Sequence, residues 1–280
     1  MNGRTDLAME AADQGGGLTQ TVTEEEGVTV TRTVILTDAA GERLGKPPGQ
    51  YVTVEVPPLT DDETRLLAHA HRIAEELTAL LPPTGEILVL GLGNAAITPD
   101  ALGPQAADMV LATRHIRGEW AKSLGLTDLR PVAVFPAGVL GQTGVESGEV
   151  ARSLIELLHP AAVIAVDALA ARSLSRLGKT VQLSDAGISP GSGVGNDRPA
   201  LSKARLGVPV IGMGVPTVVD AATIVQELGG GSLSGAPEGM MVTPREVDLM
   251  VRRAARLLAM AINAALQPDY SPLSLMAAAV

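Results

Sequence analysis

From residue 86 to residue 216 the chain repeats one pattern: a short unbroken apolar run, a turn rich in Gly, Pro, Asn or Asp, then a stretch with helical spacing. The apolar runs are 86–94 (EILVLGLGN), 131–138 (PVAVFPAG), 161–169 (AAVIAVDAL), 180–187 (TVQLSDAG) and 208–216 (VPVIGMGVP), with helices expected at 105–122, 145–158 and 170–177. Continuous apolar strands joined by helical crossovers predict a mostly parallel sheet covered on both faces. Upstream, VTVTRTVIL (28–36) and YVTVEV (51–56) alternate polar and apolar residues across a Gly/Pro loop. That spacing predicts a β-hairpin or a pair of edge strands. Residues 60–80 open with Thr and Asp, place Leu66, Leu67, Ile73 and Leu77 at helical spacing, and stop at Pro82-Pro83. A last helix, 244–266, is apolar around most of its circumference. The expected organisation is a mobile arm over 1–17 and one α/β domain over 18–280. In that domain 18–57 form a hairpin extension, 86–266 the core, and 229–238 a flexible Gly/Ser linker.

Composition narrows the picture. The chain has 280 residues, 46% hydrophobic but only 1% aromatic, so Ala, Val, Leu and Ile must build a layered core. Cysteine is absent, so there is no disulfide framework or thiolate zinc site, and a reducing compartment is expected. A net charge of −10 argues against a large phosphate-binding surface. The opening MNGRTDLAMEAADQ lacks the apolar region of a secretory signal, and no apolar run reaches the roughly 20 residues that span a bilayer.

In open α/β sheets chemistry collects at the carboxyl ends of strands. Here those ends carry Asn94 and Asp100, Gly138 and Thr143, Asp167, Ser184 and Asp185, and Pro216 and Thr217. Gly91, Gly93 and Ala96 match a dinucleotide loop in spacing. Yet Pro104 puts the helix start near 103–104, and the next strand ends without the acid that would hold a ribose. Residues 187–191 (GISPG) match a nucleophile elbow, but Pro190 has no N–H for an oxyanion, and all four histidines precede the serine. His69 and His71, two apart on a helix, face opposite ways. Asp100 and Asp167 remain, with Asp185 as a third candidate. Two close carboxylates do not both ionise easily; the ionised one activates water and the protonated one serves a leaving amine. The glycines of PGSGVGN (190–196), with Gly191, Ser192, Gly193 and Asn196, would let a substrate backbone approach. At this level the chemistry is a carboxylate-dependent hydrolase or an oxygen-rich metal site.

Eight segments then add up to a family. They are RTDLAMEA (4–11), GQYVTVEVP (49–57), GLGNAAITPDALGP (91–104), PAGVLGQTGVES (136–147), AVDALAARS (165–173), LSDAGISPGSGVGN (183–196), LGVPVIGMGVPTVVDA (206–221) and MVTPREVD (241–248). In this order the chain resembles the germination proteases of endospore-forming bacteria. The resemblance implies an α/β sandwich of the phosphorylase and hydrogenase-maturation-protease type. It implies an endopeptidase that starts the breakdown of small acid-soluble spore proteins, working in the cytoplasm of the forespore or spore core. Asp100 and Asp167 match the family's two candidate catalytic aspartates of an atypical aspartic peptidase, with Asn94, Thr98 and Asp185 in supporting positions. The family is made as a zymogen whose autoprocessing would fall at Asp6–Leu7, and it assembles as a homotetramer. No cofactor, metal, nucleic acid or membrane partner is implied. Two departures stand out: only Met1-Asn2-Gly3 precede Arg4, which makes a very short propeptide, and the segment between Ala221 and Met241 is a Gly/Ser linker where the family carries a longer insertion.

Overall fold

The computed structural model describes residues 5–10, 16–25, 27–61, 65–116, 118–123, 126, 128–192, 198–228 and 239–279. In chain order the elements are β1 (Leu18–Glu25), β2 (Val28–Ile35), α1 (Asp38–Leu44), β3 (Gly49–Glu55), α2 (Leu66–Leu80), β4 (Ile87–Leu92), α3 (Leu102–Ala107) and α4 (Gly118–Ser123). They continue with β5 (Val132–Gly138), α5 (Leu140–Thr143), α6 (Ser147–Leu158), β6 (Ala162–Ala171), β7 (Thr180–Ser184), α7 (Lys203–Leu206), β8 (Val210–Asp220), α8 (Ala221–Glu227), β9 (Met241–Val242), α9 (Val247–Leu266) and α10 (Pro272–Ala278).

The strands join one sheet in the order β1-β2-β3-β7-β8-β6-β4-β5, with β9 added to β8. The apolar repeat made β8, β6, β4 and β5 a parallel block. The other half is antiparallel throughout. The chain is therefore an α/β sandwich, as expected, but its sheet is mixed, with the parallel strands confined to one half. One face buries Val52, Val54, Ile87, Val89, Ile164, Val181 and Leu183 against α2, α3 and α9. The other buries Leu88, Leu90, Val163, Ala165 and Val210 with Ala151 and Ile155 of α6. These two aliphatic clusters make the three layers. Helix α9 is buried on several sides, including Val251, Ala254, Leu258 and Ile262, as its apolar circumference predicts.

Several elements differ from the expectation, each for a tertiary reason. The helix expected over 105–122 splits into short α3 and α4. Beyond α3, Asn263 of α9 accepts from Leu111 N (3.0 Å) and donates to Met109 O (3.1 Å), so bonds to another helix replace the helix's own. The helix expected over 170–177 is absent. Strand β6 runs on to Ala171 because β8 pairs with it that far. A single 3₁₀ turn, Leu174–Arg176, then reverses the chain into antiparallel β7. The N-terminal extension has a third strand, β1, and its loop holds α1, capped where Thr37 Oγ1 accepts from Ala40 N. The 229–238 linker lies outside the described residues.

Candidate active site

Backbone crowding brings the two aspartates together. After β4 the chain turns at Gly93 (φ +112°), where a Cβ would stand 2.1 Å from Asp100 O. Three backbone or side-chain bonds close the turn: Ile97 N to Asn94 O (3.0 Å), Asp100 N to Ile97 O (2.8 Å) and Ala96 N to Asn94 Oδ1 (2.9 Å). Helix α3 then lands directly on the sheet, because a Cβ on Gly103 would lie 2.2 Å from Leu92 O and 2.4 Å from Val166 O. Only glycine permits that approach, and it sets the preceding 3₁₀ turn, Thr98–Asp100, against β6, within which Asp167 stands. Thr217 of β8 anchors the turn by donating to Pro99 O (2.8 Å). On the other side of β6, Gly214 lets β8 close in, since a Cβ there would be 2.2 Å from Asp167 O.

Both carboxyls line one cleft of roughly 760 Å³. Asp167 is buried, and burial pushes its carboxyl well above the ordinary range; the neighbouring Asp100 charge pushes the same way, against the Ala168 N–H that Oδ1 accepts at 2.9 Å. Asp100 is also raised by burial, but the Asn94 N–H donated to Oδ2 at 2.7 Å and the nearby Arg198 charge hold it down. The environments thus separate two identical side chains. Of the two, Asp167 holds its proton more tightly than Asp100.

Within the stretch expected to be a mobile arm, residues 5–10 are seated in this cleft. Asp6 N donates to Ala170 O (2.9 Å), beyond the point where β4 stops pairing with β6. The Asp6 carboxylate is received by Ala170 N (2.8 Å) and Ser192 Oγ (2.8 Å), with Lys46 Nζ 4.0 Å away. Burial lowers the Lys46 ammonium, and the charges of Asp6 and Glu10 oppose that. Leu7 is fully buried with Leu169 and Ala171. Gln182 brackets Leu7, donating from Nε2 to Asp6 O (2.6 Å) and accepting at Oε1 from Ala8 N (2.8 Å).

The residues named from sequence divide into three groups. Asp100, Asp167, Asp6, Gly191 and Ser192 line the cleft. Asn94 stands behind it, its side chain also accepting from Gln142 Nε2 (2.6 Å), and Thr98 opens the turn without lining the cleft. Asp185 lines the cleft as well, at its exposed rim, where Oδ1 accepts from Gln50 N (2.7 Å). Gly193 and Asn196 lie outside the described residues. The sequence reading missed Gln182, Lys46 and Arg198. One signal was there for Gln182: TVQLS alternates, and Thr180, Gln182 and Ser184 are all buried, which requires polar partners on that face. Among the described residues no group of three or more His, Asp and Glu side chains is arranged to hold a metal ion. None of the described helices is long and apolar enough to cross a membrane.

Comparison with known proteins agrees with the eight segments. The chain is 39% identical to a germination protease of Caldanaerobacter subterraneus subsp. tengcongensis, over 96% of this chain and 95% of that one. It is 36% identical to one from Clostridium perfringens, over 96% of each. A Bacillus cereus germination protease is 45% identical over 80% of this chain and 65% of its own length. Among solved structures, a [NiFe] hydrogenase maturation protease, HycI from Thermococcus kodakarensis KOD1, aligns with a TM-score of 0.38 at 18% identity, covering 67% of this chain and 98% of that one. A model of the germination protease family matches residues 2–229. The chain belongs to the germination protease family, a family of peptidases.

Proposed function

We propose that this protein is an endopeptidase of spore germination that cuts small acid-soluble spore proteins by an aspartic mechanism using Asp100 and Asp167. The observation that carries the reading is the pair itself, two carboxyls in one cleft with different surroundings, of which Asp167 is the more deeply buried. Ionised Asp100 takes a proton from water as the water oxygen adds to the peptide carbonyl carbon. Protonated Asp167 delivers its proton to the leaving nitrogen as the C–N bond breaks. Passage of a proton from Asp100 to Asp167 resets the pair.

The chain's own Asp6–Leu7 bond, seated between an acid receptor and an apolar pocket, is the bond cut in autoprocessing of the zymogen. The family resemblance further supports a homotetramer working in the forespore or spore core. A metal-assisted mechanism is the competing enzyme reading, and loss of cleavage with chelator, restored by a divalent cation, would favour it.

The test is to incubate the protein with a purified small acid-soluble spore protein, map the products by mass, and sequence its own N-terminus. Asp100→Asn and Asp167→Asn should each lower cleavage by about 10²–10⁴-fold with the fold intact. Full activity in either variant would end the aspartic reading. The pH–rate profile should be bell-shaped, falling on the acid side as Asp100 gains its proton and on the alkaline side as Asp167 loses its own. Both carboxyls are raised, so the bell should sit at higher pH than an exposed aspartate pair would give.

A further inference from the structure

Strand β7 is paired on both sides, Gln182 opposing Thr53 of β3 and Gly214 of β8. Its apolar residues, Val181 and Leu183, enter the core beneath the sheet. Gln182 therefore stands on the opposite face, where it is 7% exposed and covered by residues 6–8. A buried primary amide needs both a donor and an acceptor partner. Here one backbone carbonyl and one backbone N–H supply them, and since the first can only accept and the second only donate, the orientation of the amide is determined. The two backbone groups flank residue Leu7: the carbonyl belongs to the Asp6–Leu7 bond and the N–H to the next one.

We infer that Gln182 is the clamp for the scissile bond: its Nε2 holds and polarises the carbonyl that is attacked, and its Oε1 holds the backbone N–H one residue past the leaving nitrogen. The inference rests on the endopeptidase reading above and deepens it. Both contacts are to main chain, so the clamp holds backbone in this register, here just ahead of the 3₁₀ turn Ala8–Glu10, and leaves sequence choice to the Asp6 and Leu7 pockets. As water adds to the Asp6 carbonyl carbon the oxygen gains negative charge, and a fixed N–H already aimed at it stabilises that charge without reorganisation. The acceptor bond to Ala8 N changes little during the reaction, so it contributes to binding. One side chain thus serves kcat with one atom and KM with the other.

The experiment uses the full-length protein and a synthetic peptide of residues 4–11, RTDLAMEA, with a second peptide N-methylated at the alanine that corresponds to Ala8. Gln182→Glu keeps an acceptor for the N–H and loses the donor at ordinary pH. It should lower kcat roughly 10²-fold with KM within about threefold. Gln182→Leu loses both contacts and should lower kcat similarly while raising KM. In the parent, N-methylation should raise KM about tenfold; in Gln182→Leu it should cost nothing more. Circular dichroism checks the fold of each variant, and if the Leu variant does not fold, the Glu variant and the N-methyl peptide decide. Kinetics in both variants within threefold of the parent, or an N-methyl penalty as large in Gln182→Leu as in the parent, would overturn the assignment. A parent protein that cuts neither its own arm nor the peptide would overturn the endopeptidase reading and this inference with it. That result differs visibly from one in which parent and variants cut alike.

Discussion

The two halves of the sheet meet at β8 and divide the work of the site. In the parallel half, Asp167 stands within β6 just past the point where β4 stops pairing, Asp100 lies in the turn after β4, and three glycines, Gly93, Gly103 and Gly214, let the backbones approach. In the antiparallel half, Gln182 of β7 and Lys46, from the loop before β3, reach the arm without crowding it, through long side chains. The contrast shows how precision is obtained. Reactive groups are placed by backbone contact, which cannot give, whereas the group to be cut is held by side chains, which can adapt to a segment that must enter and leave.

If that division holds, breaking the backbone contacts should do the most damage. Gly103→Ala puts a methyl group about 1 Å inside the contact limit of two carbonyl oxygens, Leu92 O at 2.2 Å and Val166 O at 2.4 Å. Since α3 must lift off the sheet, we expect a loss of about 3 kcal/mol or more. At ~2–4 °C per kcal/mol for a chain of this size, thermal melting would show it. Cleavage should fall with it because Asp100 moves. A variant that melts with the parent would show that the approach of α3 is not needed.

On the antiparallel side the expected effect is smaller and confined to the substrate. Lys46→Met removes a mostly buried ammonium 4.0 Å from the Asp6 carboxylate but keeps the apolar stem. Cleavage of peptides with aspartate before the cut should slow about tenfold, with the melting temperature held or raised. Peptides with asparagine there should lose less. Equal loss for both peptides would mean that Lys46 does not receive the acid.

The smallest effect sharpens the account of Asp167. Its carboxyl is raised by burial, so the folded state holds a proton that the unfolded state has lost, and stability falls as pH rises through that window. Asp167→Asn removes this penalty, and Asn Oδ1 can still accept from Ala168 N. The variant should melt higher than the parent near pH 7. The gain should vanish below about pH 3.9, where both states are protonated. An unchanged or lower melting temperature at pH 7 would mean that Asp167 is not a strained group in the folded protein.

Much of this architecture was legible residue by residue. The five runs fell on strands β4, β5, β6, β7 and β8; β4, β6 and β8 were the plainest, because a strand buried on both faces has little room for polar positions. Asp100 and Asp167 were legible for the converse reason, as carboxylates where packing gives them no role. What the run pattern did not show was direction: 180–187 sits in the same succession of strands as its neighbours, yet β7 runs antiparallel. Nor could it separate a helix from a strand continuation over 170–177, since a pairing partner distant in sequence decides that.

The sequence by itself determined the layered aliphatic sandwich, the absence of thiol chemistry and the two acids at strand ends, because these depend on local pattern and residue type. Tertiary structure alone decided that Asp167 is raised further than Asp100, that Asp185 sits at the exposed rim of the cleft, and that residues 6–8 pack against Gln182. Each of these turns on burial and on partners up to 176 residues away along the chain. Desolvation and hydrogen bonding act through space, so the roles of chemically identical aspartates emerge only once the chain has folded.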